Sequence, residues 1–121
     1  MKRPSYKELN KKIQQAREAV LESRISILDP EIIAADALEI GYLVKDISNV
    51  LYDIVDEITP SNYVGQRPPQ RSYEDKIKGC ELFAFKLKNM LLGCEIYLKF
   101  ALKEGLMWLV SFHQHRETEG E

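Results

Sequence analysis

The fold of this chain is decided by a stretch near its C-terminus, Cys94-Glu95-Ile96-Tyr97-Leu98-Lys99-Phe100-Ala101-Leu102-Lys103. Every even position of this stretch is apolar or a thiol, and the odd positions are Glu, Tyr, Lys, Ala and Lys. Such period-two alternation is typical of a β-strand with one buried face. The following residues, Lys103-Glu104-Gly105, predict a tight turn, and Leu106 to Phe112 predict a partner strand.

The same region also fits a heptad pattern from 73 to 112, with apolar residues at alternating spacings of four and three. A single helix here would contain Gly79, Gly93 and Gly105, and each would cost roughly 0.8–1 kcal/mol relative to alanine. A hairpin instead uses glycines at its strand breaks, where positive φ is helpful. The strand interpretation is therefore favoured, with the long helix as its alternative. The predicted strands span about 80–88, 94–103 and 106–113.

Three helices are predicted upstream of these strands. Ser5 and Glu8 form a capping box, and Asp29-Pro30-Glu31 marks a second helix start. Gly41 offers a stop for the second helix, or is tolerated within one helix from 30 to 58. The predicted helices span about 5–23, 30–40 and 44–58.

The chain of 121 residues is 45% hydrophobic and 30% charged, which is typical of one soluble domain. We expect a single domain over 1–121, in which a helical part (5–58) precedes a long proline-containing loop (59–75) and a sheet part (76–115). Loops of this length are often functional. The order of elements predicts an α+β fold, with N-terminal helices packed on a small C-terminal antiparallel sheet.

Composition excludes several classes of function. The sequence has no long apolar run and no signal-peptide core, so we expect a cytoplasmic protein without a membrane partner. Cys80 and Cys94 are expected to be buried thiols, and no ligand spacing predicts a metal or another cofactor. Net charge is −2, but residues 64–116 carry nine Lys/Arg and five Asp/Glu. This locally basic region permits an anionic partner such as RNA, whereas no DNA partner is predicted.

Strand alternation predicts which side chains share the outer face of the sheet. The last strand is expected to bury Leu106, Trp108, Val110 and Phe112. The first strand is expected to bury Phe83, Phe85 and Leu87. Antiparallel pairing then collects a phenol, amines, a hydroxyl and imidazoles on one surface: Tyr97, Lys99, Lys86, Lys88, Ser111, His113 and His115.

This set of groups suits cleavage of RNA by attack of a ribose 2′-hydroxyl on the adjacent phosphate. The reaction needs a base, an acid and a cation, and histidine is the natural proton-transfer group near neutral pH. Arg67 and Arg71 in the long loop either bind phosphate or keep the loop soluble. Residues such as Tyr97 and Lys99 on a solvent-facing sheet surface are more often solvated residues without chemistry, and this is the alternative interpretation.

Two short motifs carry a family resemblance. Gly93-Cys94-Glu95-Ile96-Tyr97-Leu98-Lys99-Phe100 and Leu109-Val110-Ser111-Phe112-His113 resemble the closing hairpin of MqsR-type toxins, which are mRNA-cleaving members of the RelE-like superfamily. That family has a Gly-x-x-Val-Tyr-Leu/Ile-Lys strand and then a Val/Ile-Ser-Phe strand that ends in a basic or imidazole residue. Upstream, Thr59-Pro60-Ser61-Asn62-Tyr63 is similar to the family's Ser-x-x-Asp-Phe/Tyr segment after two helices. The resemblance covers roughly residues 30–115.

The resemblance implies a catalytic or substrate-contacting role for Tyr97, and an antitoxin protein as partner. His113 stands where the family often has a lysine, and Val64-Gly65 stand where it has a basic residue. A toxin-like endoribonuclease acting on single-stranded mRNA is therefore the first hypothesis. The alternatives are a degenerate toxin homologue and a non-catalytic interaction domain that binds protein through an exposed Met107, an exposed Leu109 and the first helix.

Overall fold

A computed structural model describes residues 3–115 of the chain. Over this range three α-helices precede three longer strands, and a short strand lies between the first two helices. The elements are α1 (Tyr6–Leu21), β1 (Ile25–Ile27), α2 (Pro30–Ile40), α3 (Ile47–Glu57), β2 (Phe83–Asn89), β3 (Cys94–Lys103) and β4 (Leu106–Gln114). The predicted α+β fold is confirmed, and the single long helix over 73–112 is wrong.

The starts of α1 and α2 follow from side-chain caps that the structure contains. The Ser5 hydroxyl accepts a hydrogen bond from the Glu8 N–H at 3.1 Å, and the Glu8 carboxylate accepts one from the Ser5 N–H at 3.4 Å. The Asp29 carboxylate accepts from the Ile32 N–H at 3.4 Å and so caps α2. Gly41 ends α2 with φ of 113°, a conformation that glycine adopts without strain. One continuous helix from 30 to 58 is therefore excluded.

The sheet has the strand order β1-β4-β3-β2, and β1 runs parallel to β4 while the other neighbours are antiparallel. The sequence did not predict β1, because a strand of three residues is too short for its alternation to be recognised. Its place is fixed by tertiary pairing instead. The Met107 N–H donates to the Arg24 carbonyl at 2.9 Å, and the Leu28 N–H donates to the Leu109 carbonyl at 3.0 Å.

All three helices share one hydrophobic core with one face of the sheet. The helices contribute Leu9, Ile13, Ile33, Leu51 and Ile54 among others, and the sheet contributes Phe83, Phe85, Leu87, Ile96, Leu98, Phe100, Met107, Leu109 and Phe112. The predicted inward residues of β2 and β3 are therefore confirmed. No helix within residues 3–115 is both long enough and apolar enough to cross a membrane.

Of the residues of β4 that were predicted to be buried, only Phe112 is buried. Met107 and Leu109 are fully buried, whereas Leu106, Trp108 and Val110 are partly exposed. The cause is a β-bulge, because Phe100 pairs with Leu109 while Lys99 pairs with Ser111 and leaves Val110 without a partner on β3. The bulge reverses the alternation along β4, which a constant period of two cannot reproduce.

The opposite face of the sheet, here called the outer face, is covered at one end by the chain that precedes β2. The Lys103 ammonium donates to the Lys76 carbonyl at 2.8 Å, which holds the turn Asp75–Ile77 beside the end of β3. Ile77 and Ala101 are fully buried, although neither belongs to the core beneath the helices. The end of the outer face that contains Tyr97 remains partly exposed.

Candidate active site

Three cross-strand rows of side chains form the exposed end of the outer face. The middle row consists of Lys86 on β2, Tyr97 on β3 and His113 on β4. The row on one side consists of Ala84, Lys99 and Ser111. The row on the other side pairs Lys88 with Glu95, and the His115 N–H donates to the Glu95 carbonyl at 2.7 Å. The structure thus brings six of the eight predicted site residues to one surface.

Tyr97 and His113 are in direct contact. Their rings stack with centroids 5.1 Å apart and planes inclined by 23°. A ring stacked in this way holds the imidazole in one orientation, and the face of the phenol ring is favourable for a neighbouring positive charge. The stack can therefore stabilise the imidazolium that forms when His113 accepts a proton.

A backbone contact defines the tautomer of His113. Its Nδ1 lies 2.9 Å from the carbonyl oxygen of Gln114, and a carbonyl oxygen only accepts hydrogen bonds. In the neutral ring Nδ1 therefore carries the proton, and Nε2 is left as an acceptor. This is the arrangement that a general base requires, because Nε2 is then ready to take a proton from a substrate hydroxyl.

Tyr97 is poised as a hydrogen-bond donor. Burial raises the pKa of its phenol above the ordinary value of 10.0, because a phenolate would be poorly solvated at this position. The group is therefore protonated throughout the neutral range. A protonated phenol beside a neutral imidazole provides one donor and one acceptor at the same point of the surface.

The lysines give the surface its positive charge, but one carboxylate lies among them. Lys86 Nζ is 4.0 Å from the Glu95 carboxylate, and both side chains are partly exposed. Glu95 is also the cross-strand partner of Lys88. The cationic character next to Tyr97 is therefore partly neutralised by Glu95, a residue that the sequence did not identify as part of the site. Its odd position on β3, in phase with Tyr97, was the signal that could have found it.

Arg67 belongs to the supporting structure of the loop. Its guanidinium lies 5.0 Å from the centre of the Tyr63 ring and donates to the Pro4 carbonyl at 3.1 Å. Burial raises the pKa of Tyr63, the charge of Arg67 lowers it, and Glu81 and Tyr97 raise it further. Arg67 therefore lies directly beside the Tyr63 ring. Arg67 is not part of the middle row.

Arg71 lies apart from the three rows. Its Nη1 donates to the Gly79 carbonyl at 2.9 Å, and the residue pairs with Glu81 in an isolated β-bridge. It lines an open cleft of about 620 Å³ within the loop, together with residues that include Tyr73 and Lys78. The sequence did not predict this cleft, because it forms only when distant parts of an aperiodic loop pair with each other.

Within residues 3–115 no three or more His, Cys, Asp or Glu side chains come together in a way that could hold a metal ion.

Cys94 is partly buried against the core, and burial raises the pKa of its thiol. Cys80 lies before β2 rather than on a strand, so its predicted strand position is wrong.

Comparison with known proteins leaves the family open: the chain matches no protein-family model, and no curated protein matches it significantly. The likeness to MqsR-type toxins therefore remains a prediction from the sequence motifs.

Proposed function

We propose that this chain is a toxin-like endoribonuclease that cleaves single-stranded mRNA without a metal ion. The observation that carries the proposal is the stack of Tyr97 on His113, with Nε2 of the imidazole available as an acceptor and Lys86 on the other side of the phenol. Base, donor and cation are the three groups that cleavage by an internal 2′-hydroxyl requires.

In the proposed reaction Nε2 of His113 takes the proton of the ribose 2′-hydroxyl. The 2′-oxygen then forms a bond to the adjacent phosphorus, and the bond from phosphorus to the 5′-oxygen breaks. The leaving 5′-oxygen takes a proton from the imidazolium or from water, so that the products are a 2′,3′-cyclic phosphate and a 5′-hydroxyl. The protonated phenol of Tyr97 donates a hydrogen bond to a phosphorane oxygen, and the ammonium groups of Lys86 and Lys99 offset its charge.

An antitoxin protein is part of this proposal. The partner would cover the basic outer face and so keep RNA from the middle row, and the protein would act in the cytoplasm, where mRNA is found. Lys88 and His115 in the neighbouring row would then contact either the RNA backbone or acidic side chains of the partner.

The hypothesis that the chain is a non-catalytic interaction domain is weakened by the burial of two residues. It required Met107 and Leu109 to be exposed, and both side chains are fully buried in the core. The remaining alternative is a toxin homologue that keeps the fold but has lost activity. A cleavage assay distinguishes it from an active nuclease.

The test is an assay with a defined single-stranded RNA in the presence of a chelator. Tyr97→Phe and His113→Ala should each lower the cleavage rate by about 10² to 10⁴, the contribution typical of a positioned acid or base. Tyr6→Phe on α1, where the ring is 65% exposed, is the matched control and should retain full activity. Mass spectrometry should find a 2′,3′-cyclic phosphate on the upstream product. A folded wild-type protein that leaves RNA intact would refute the proposal.

A further inference from the structure

The loop before β2 forms a cleft of about 620 Å³, a volume within the range of small-ligand sites. Its polar side chains are two cations, two amides, a phenol and a hydroxyl: Arg71, Lys78, Gln66, Gln70, Tyr73 and Ser72. Among residues 3–115, no carboxylate lines it. The cleft therefore offers positive charge, neutral hydrogen-bonding groups and an aromatic ring.

The walls of the cleft are held by hydrogen bonds of the protein itself. The Leu82 N–H donates to the Gln70 carbonyl at 2.8 Å, and the Ser72 N–H donates to the Cys80 carbonyl at 2.9 Å. The Arg71 guanidinium bonds the Gly79 carbonyl, and the hydroxyl of Tyr63 donates to the carbonyl of Gln66. Such a ladder forms the cleft before a ligand arrives, which lowers the entropic cost of binding.

Tyr73 is the feature of the cleft that needs an explanation. Its side chain is 87% exposed, although it lies between the buried residue Ser72 and a turn that is fixed to β3 through Lys76. An exposed ring on a fixed backbone is the arrangement on which an unpaired nucleobase stacks. The amides of Gln66 and Gln70 can bond to the edge of such a base, and Arg71 and Lys78 can contact its phosphates.

We propose that this cleft binds one unpaired nucleotide of a single-stranded RNA, with the base on Tyr73 and the phosphate on Arg71 and Lys78. The choice of RNA rests on the proposed function. Arg71 pairs with Glu81, and Lys86 follows Glu81 by five positions, so about 17 Å of extended chain separates the cleft from the middle row. The cleft would thus hold the strand at a distance from the bond that is cleaved, as an anchor.

The test measures binding without cleavage. A fluorescent 2′-O-methyl RNA has no free 2′-hydroxyl, so its anisotropy reports affinity alone. Tyr73→Ala should weaken binding about five-fold or more, whereas Tyr73→Phe should keep the affinity, because stacking needs only the ring. Tyr52→Ala, which removes a tyrosine that is 48% exposed on α3, is the matched control and should not change binding.

A second probe separates stacking from simple charge attraction. An abasic strand of equal length carries the same phosphates without bases, so the wild type should bind it at least about five-fold more weakly. Equal affinity for both strands, or an unchanged affinity in Tyr73→Ala, would overturn the inference, as would a wild type that binds neither strand.

Cleavage of unmodified RNA is scored separately from binding. RNA binding through Tyr73 without any cleavage would leave this inference standing and remove the proposed nuclease activity. Cleavage of RNA with an unchanged binding affinity in Tyr73→Ala would support the proposed nuclease activity and overturn the inference about the cleft.

Discussion

His113 lies opposite Tyr97 in the sheet because β4 contains one residue more than β3 between the turn and this pair. A regular ladder counted from the turn would set Phe112 opposite Tyr97 and would direct His113 toward the core. The unpaired Val110 changes this register, so that Phe112 is buried and the imidazole stacks on the phenol. Bulges are common beside active sites, where they redirect a side chain.

The first prediction concerns the dependence of cleavage on pH. The alkaline side of the pH–rate profile reports on the proton donor, because the proposed reaction needs that donor to be protonated. The donor is the protonated phenol of Tyr97, whose pKa lies above 10.0, and this form persists below that pKa. The rate should therefore stay level up to about pH 10. The cleavage rate is measured in short assays that are corrected for alkaline hydrolysis of the RNA. A decline of this rate centred well below pH 10 would exclude Tyr97 as the donor.

The second prediction concerns Glu95 and the charge of the outer face. Glu95→Gln removes the carboxylate that lies 4.0 Å from Lys86 Nζ. A unit charge at this distance is worth about 1 kcal/mol in water, so RNA affinity at low salt should rise about five-fold. The gain should shrink in high salt because of screening. Glu22→Gln, next to Arg24 at 3.3 Å, is the control and should not affect binding. An equal gain at every salt concentration would argue against an electrostatic cause.

The third prediction concerns a partly buried contact between α3 and the end of β2. Asn89 is 2% exposed, donates to the Glu57 carboxylate at 2.6 Å and accepts from the Leu92 N–H at 2.8 Å. Asn89→Asp keeps the acceptor but sets two carboxylates together, so it should lower the free energy of unfolding by about 2 kcal/mol at neutral pH.

This penalty should depend on pH. The introduced carboxyl has a raised pKa in the folded state, so its cost is absent at low pH and grows as the pH rises through the ordinary value of about 3.9. Urea denaturation at about pH 4 and about pH 7 measures it. Asn89→Ala is the control, since it removes both hydrogen bonds without adding a charge. A penalty of the same size at both pH values would mean that the loss does not come from the contact with Glu57.

The fourth prediction concerns the turn between β3 and β4. Glu104 and Gly105 both have positive φ, at 53° and 76°, as in the type I′ turn that suits a twisted hairpin. Asparagine tolerates this conformation better than glutamate, so Glu104→Asn should raise the free energy of unfolding by about 0.5 kcal/mol. Thermal denaturation measures this gain. Glu104→Ala is the control, because it removes the same carboxylate but leaves a residue that tolerates positive φ poorly, so it should not raise the free energy of unfolding.

The sequence by itself determined the elements whose signals are local. The caps at Ser5 and Asp29 and the stop at Gly41 define helix ends through bonds within a few residues. Alternation in β3 likewise reflects one buried and one exposed face of a single strand, and its predicted bounds, 94–103, are those observed. The same local pattern placed Tyr97 and Lys99 on the outer face.

Only the tertiary structure decided the features that depend on partners distant in the chain. The parallel strand β1 exists because it pairs with β4, and the cleft around Tyr73 exists because the loop pairs with itself across about ten residues. The bulge at Val110 arises because both Leu109 and Phe112 must reach one core, which sets the register that local alternation cannot encode. The contact between Tyr97 and His113 follows from that shared core.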